Sequence, residues 1–121
     1  MGFTFVKVRV LPAAATGEGI EREFLVDTGA IYSMLPAEDL QALGIQPSFQ
    51  RTFTLADGRS ATYPVGAARF KVNGSEGIAE IIFGEKGTQP LLGVVVLESM
   101  GLQVDPVSKQ LKPMPLYLMR V

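Results

Sequence analysis

The chain of 121 residues contains neither histidine nor cysteine, which narrows the chemistry its side chains can perform. Without imidazole there is no Ser-His-Asp triad, and without both residue types the common zinc sites lose their ligands. No metal and no cofactor is therefore expected. Carboxylate chemistry, a Ser-Lys arrangement or no catalysis at all remain. Three aspartates have structural explanations: Asp39 falls in the first turn of an expected helix, Asp57 in an expected hairpin turn and Asp105 directly before Pro106. Asp27 differs, because it follows the apolar run Phe24-Leu25-Val26 and precedes Thr28-Gly29-Ala30. This places it at the expected end of a buried strand, where a carboxylate is costly unless hydrogen-bonded or paired. Gly29 lets the backbone turn sharply there.

Two readings of Asp27-Thr28-Gly29 follow from the residues alone. In one it is a strand-ending turn whose aspartate bonds its own downstream amides. In the other, the turn presents a working carboxylate.

The elements that must position Asp27 are mostly strands. "FTFVKVRVL" (3–11) alternates and is rich in β-branched and aromatic residues, and "IEREFLV" (20–26) resumes after "PAAATGEG", giving a hairpin with a long loop. "PAEDLQALG" carries a short helix signature, with Pro36 at its start, acidic residues in its first turn and Gly44 as its stop. "FQRTFTLADGRSATYPVG" predicts two strands joined across Asp57-Gly58, a dipeptide suited to a tight turn. Pro64 marks that hairpin as an edge or protruding one. "AARFKV" and "IAEIIF" flank "NGSEG" as a further hairpin, and "GEKGTQ" is a loop. "LLGVVVLESMG" runs from a buried apolar stretch into a second short helix closed by Gly101. "LQVD", a turn at "PVSKQ" and a strand in "LKPMPLYLMRV" complete the chain.

The length fits a single domain over residues 1–121, and 47% apolar with 19% charged residues describes an ordinary globular chain. A formal charge of -1 with scattered Lys and Arg leaves no footprint for nucleic acid or an anionic membrane, so neither is expected as a partner. Lys7 and Arg9 interrupt the only N-terminal apolar run, Val6 departs from a myristoylation signal, and no apolar stretch is long enough to span a bilayer as a helix. A cytoplasmic location is the default expectation.

"FLVDTGA" resembles the active-site motif of the retroviral-type, or retropepsin-like, aspartic proteases: two apolar residues, then Asp-Thr/Ser-Gly-Ala/Ser. In that group a flap hairpin follows by a few tens of residues, as "RTFTLADGRSATY" does here. An apolar-apolar-Gly element leading into a short helix comes near the end, as "PLLGVVVLESMGLQVDP" does. Order and spacing agree over about residues 20–107. "LPAEDLQALGI", "LADGR" and "LLGVVVLESMGLQVDP" look like the single-domain bacterial members more than the viral ones. Viral members carry an acidic residue after Asp-Thr-Gly-Ala and an arginine after the later glycine. Here Ile31 and Val94 replace both, which avoids stranding one buried charge.

The resemblance implies an all-β fold, a mainly antiparallel closed barrel with one or two short helices, and an aspartic endopeptidase with Asp27 as the catalytic residue. Two facing carboxylates share a proton, so a chain with one Asp-Thr-Gly needs a homodimer, with peptide as substrate. Thr28 would brace the two loops across the axis, Gly29 would admit substrate backbone, and Ala30 would complete the loop. Leu55, Ala56, Asp57, Gly58 and Arg59 would form the flap tip, polar here instead of glycine-rich. Ser33 would either support the loop or simply pack, and Tyr32 and Tyr63 would line the cleft or pack. A dimeric peptide-binding module without catalysis is the alternative, and a structural β-domain with Asp27 as a turn residue a further one.

Overall fold

The computed structural model describes residues 3–116 and residue 118. Nine strands and two short helices follow in the order β1 (Thr4–Pro12), β2 (Ile20–Val26), β3 (Ser33–Pro36), α1 (Ala37–Ala42), β4 (Phe49–Thr54), β5 (Ser60–Val72), β6 (Ser75–Gly84), β7 (Leu91–Leu92), α2 (Val94–Ser99), β8 (Leu102–Val104) and β9 (Leu111–Pro113).

The period-2 alternation of β1 turns Val8 and Val10 inward and leaves Lys7 and Arg9 on the other face. It pairs antiparallel with β2 from Thr4↔Val26 to Val10↔Ile20. Strand order β1-β2-β7-β3-β6-β5, with β1 pairing β5 as well, closes six strands into a barrel. Closure pairs each of these six strands on both sides, which limits the free edges that an open sheet would expose. Most pairings are antiparallel; β3 with β6 and β2 with β7 are parallel. β4 pairs only with the first half of β5 and so lies outside the ring. Phe24, Phe70, Leu35, Ile81 and Leu92 fill the interior, and Leu40 of α1 with Val96 of α2 joins the same cluster.

Three local expectations differ from the structure. "SATYPVG" and "AARFKV" form one 13-residue strand, β5, with Pro64 inside it opposite Gln50; proline is tolerated because that half of β5 is in the protruding hairpin. The hairpin between β4 and β5 has a five-residue loop, Leu55 to Arg59, because Gly58 alone has positive φ (87°) and a two-residue primed turn needs it at both positions. That two-residue turn is instead made by Asn73-Gly74, at φ of 48° and 90°, between β5 and β6. Finally, "SMLP" forms β3, for which the sequence offers no local signal. In the final stretch only Leu111–Pro113 is a strand; Tyr117 and residues 119–121 lie outside the described residues.

Phe24 is completely buried three residues before Asp27. Phe24→Ala should lower unfolding free energy by about 3–5 kcal/mol through lost transfer energy and the cavity left behind. Urea unfolding checks this, and a loss below about 1 kcal/mol would mean the barrel interior does not depend on that ring.

Candidate active site

β2 and β3 lie on opposite sides of β7. Residues 27–32 must therefore cross over the end of β7, where Gly93 leads into α2. A Cβ on Gly93 would stand 2.5 Å from the Tyr32 carbonyl oxygen and 2.7 Å from that of Ile31, so only glycine fits the crossing. Hydrogen bonds fasten it. Asp27 N–H donates to Leu92 O (3.0 Å), and Val94 and Val95 N–H donate to Ala30 O (2.8 Å) and Ile31 O (3.2 Å). These last two satisfy amides in the first turn of α2, which has no side-chain cap. Ser33, fully buried, accepts Gly93 N–H on Oγ at 2.8 Å. It supports the loop directly, beyond mere packing.

On this base, Asp27 Oδ1 accepts Gly29 N–H at 2.9 Å, and Ala30 N–H donates to Asp27 O at 3.1 Å. The turn reading of Asp27 is thus geometrically present. It accounts for one carboxylate oxygen; Oδ2 has no hydrogen-bond partner among the described residues. Asp27, Thr28 and Gly29 are exposed, and Leu25 and Val26 only half-buried, so in the single chain the carboxylate is not at the end of a buried strand as expected. Strand β2 carries it out to the barrel rim.

The loop separates two concave surfaces. A cleft of about 380 Å³ lies between it and the β4–β5 hairpin, lined by Ala30, Ile31, Tyr32, Phe53, Leu55 and Tyr63, with Ile82 and Leu91 of the barrel. Tyr32 meets Phe53 edge to face at 5.5 Å, and Phe53 lies 6.2 Å from Tyr63, so both tyrosines line the cleft. On its other side Thr28 borders a concavity of about 470 Å³, mostly apolar through Val94, Leu97, Leu102, Val104 and Met114 but carrying Glu98 and Lys109 in its lining. Ile31, at 61% exposure, faces outward from the loop, and no ion pair occupies the positions of Ile31 and Val94.

At the hairpin tip Asp57 accepts Arg59 N–H at 3.0 Å on Oδ1 and Arg59 Nε–H at 2.6 Å on Oδ2. The Arg59 amide, and then its guanidinium, hold the Asp57 carboxyl below the ordinary carboxylate range. Leu55, Ala56, Asp57, Gly58 and Arg59 thus form one locally bonded tip, with Leu55 N–H donating to Arg59 O and Gly58 N–H to Leu55 O.

The sequence profile of the aspartyl protease family matches residues 12–96. The chain belongs to the aspartyl protease family. A search of curated proteins found no match. Among solved structures this aspartyl protease is similar to the retropepsin-like aspartic protease from Rickettsia conorii, with TM-score 0.59, 22% identity and 86% of this chain and 77% of that one covered. It is also similar to the simian foamy virus protease, with TM-score 0.56, 18% identity and 78% and 92% covered. At these identities the likeness is one of fold, and the fold is retropepsin-like.

Arg51, which contacts Tyr32 beside the cleft, and Phe53, Ile82 and Leu91, which line it, are not singled out by the sequence. A signal for the first two exists: Phe49, Arg51, Phe53 and Leu55 alternate with Gln50, Thr52 and Thr54 and so share one face.

Two predictions concern this loop and tip. Ser33→Ala leaves the buried Gly93 amide unpaired and should destabilise by about 1–3 kcal/mol in denaturant unfolding, whereas a neutral result would detach the hydroxyl from loop support. The Asp57 carboxyl should titrate below the ordinary aspartate value, followed by NMR, and Arg59→Ala should raise it only part-way, since the residue 59 amide still donates. Because its folded value is depressed, Asp57 contributes to tip order above the ordinary carboxylate value, and that contribution is lost as pH falls through the lowered one. A midpoint unmoved by Arg59→Ala and equal to the ordinary value would remove both hydrogen bonds from the account.

Proposed function

We propose that the protein is an aspartic endopeptidase whose working unit is a homodimer, with Asp27 of each copy forming the catalytic pair. The carrying observation is the exposed Asp27, single in its loop, with a hydrogen-bonded Oδ1 and a free Oδ2, between a cleft under a hairpin and an open apolar concavity. One carboxylate a few ångströms from another cannot ionise alongside it, so the two hold one proton. The ionised member takes a proton from water as the water oxygen attacks the scissile carbonyl carbon, and the protonated member gives its proton to the carbonyl oxygen. Collapse of the resulting diol then breaks the C–N bond as the nitrogen is protonated.

Membership in the aspartyl protease family and the retropepsin-like fold support the reaction class. The cleft supports an extended peptide, with Gly29 at its edge admitting backbone and Leu55–Arg59 as the covering tip. The apolar concavity bordered by Thr28 is the side from which a second copy would bring its own loop, with Thr28 bracing the pair. A peptide-binding module that does not cut uses the same cleft and is separated from this reading by the following test.

Asp27→Asn keeps an oxygen to accept the Gly29 amide but cannot take the proton from water. Peptide-library cleavage by the purified protein should fall by at least about 10³-fold, with unfolding stability and sedimentation unchanged. Cleavage retained by Asp27→Asn would remove Asp27 from the chemistry, and binding without cleavage by the unsubstituted protein would assign the binding-module reading.

A further inference from the structure

The inward-facing side of the β4–β5 hairpin is apolar except at one position. Register places Phe49 opposite Val65, Arg51 opposite Tyr63 and Phe53 opposite Ala61, so these side chains share a face. Arg51 is the single charge among them. Its guanidinium carbon lies 5.0 Å from the Phe49 ring centroid and 5.6 Å from that of Tyr32, and Nη1 donates to Tyr32 Oη at 2.9 Å. No carboxylate pairs with it among the described residues, although Arg9, Arg22, Arg59 and Arg69 all have one.

An arginine has five N–H donors, and Tyr32 uses one of them. Tyr32 Oη, which accepts that bond, keeps its own O–H free to donate. Stacking on two rings holds the guanidinium in place, so little side-chain freedom is left to lose on binding. The arrangement is a preset group of donors carrying one positive charge, at the edge of an apolar cleft that Tyr32 itself lines. A carboxylate is the ligand such a fork matches, bidentately and with charge-assisted bonds.

We propose that Arg51, presented by Tyr32 and Phe49, is a specificity determinant that selects substrate peptides with an acidic side chain, Asp or Glu, at the position lying under the hairpin base. This rests on the peptidase reading for its substrate class. Arg51 acts on binding of the peptide, and no step of bond cleavage passes through it.

The test uses the 121-residue chain and a library of short peptides in which each position around the cut site carries Glu, Gln or Lys in turn. At one position kcat/KM for Glu should exceed that for Gln by about fivefold, the upper end expected of an exposed ion pair. Arg51→Gln should bring this ratio close to one, and Arg51→Glu should reverse the preference toward Lys at the same position. If Arg51 only fastened the hairpin to Tyr32, its substitution would slow Glu and Gln peptides in parallel and leave the ratio unchanged, which overturns the proposal. So does a ratio of one at every position in the unsubstituted protein. If the protein binds these peptides without cutting them, the same ratios read from Kd decide the matter, so failure of the peptidase reading leaves this one open to confirmation or loss on its own. A protein that neither binds nor cuts overturns both.

Discussion

Where residues 27–32 pass over the end of β7, a glycine without a side chain and a small set of hydrogen bonds hold two backbone segments closer than any Cβ would permit. Ala30 and Ile31 carbonyls receive the first amides of α2, Leu92 receives the Asp27 amide, and Ser33 receives that of Gly93. The crossing is what fixes the carboxylate. Asp27 is exposed and would otherwise sit on a mobile surface turn, whereas here its neighbours are bonded to the barrel and to a helix whose Val96 and Leu97 are buried in the core. A buried hydroxyl with a satisfied partner is stabilising and directional, so Ser33 contributes geometry as well as free energy.

The same crossing leaves Asp27 Oδ2 without a partner and its loop open on two sides, one toward the aromatic cleft and one toward the apolar concavity at Thr28. Ile31 and Val94 leave this region without an ion pair, so positioning rests on backbone hydrogen bonds instead of charge. Such bonds join uncharged groups and are less sensitive to salt than an exposed ion pair. The hairpin carries charge of its own, in the Asp57–Arg59 pair at the tip and in Arg51 at the base.

Much of this was legible in the sequence where the signal is local. Alternation located β1 and β2 to within a residue or two, apolar-Gly-helix patterning located β7 and α2, and Asp27 stood out because a polar residue ended an apolar run. The signal failed where partners are distant. β3 is four residues long and exists because Ser33–Pro36 pair in parallel with residues 81–84, which no local pattern announces. Asp57-Gly58 and Asn73-Gly74 both carry hairpin chemistry, and only the second adopts the two-residue turn; at the first, Arg59 binds Asp57 and a wider loop results. The apolar neighbours of Asp27 in sequence suggest burial, whereas in the fold Leu25 and Val26 are only half-buried and Asp27 is exposed at the end of β2. Arg51 carries no local signal of its role, which lies in a register opposite Tyr63 and a contact to Tyr32 from another strand connection.

The central claim is that one catalytic centre draws Asp27 from two chains. It is tested most directly by mixing wild-type and Asp27→Asn chains at constant total concentration, allowing subunits to exchange and following peptide cleavage. If both aspartates are required, mixed dimers are silent and activity falls as the square of the wild-type fraction. A linear fall would mean that each chain carries a complete centre of its own, and the shared site would have to be abandoned.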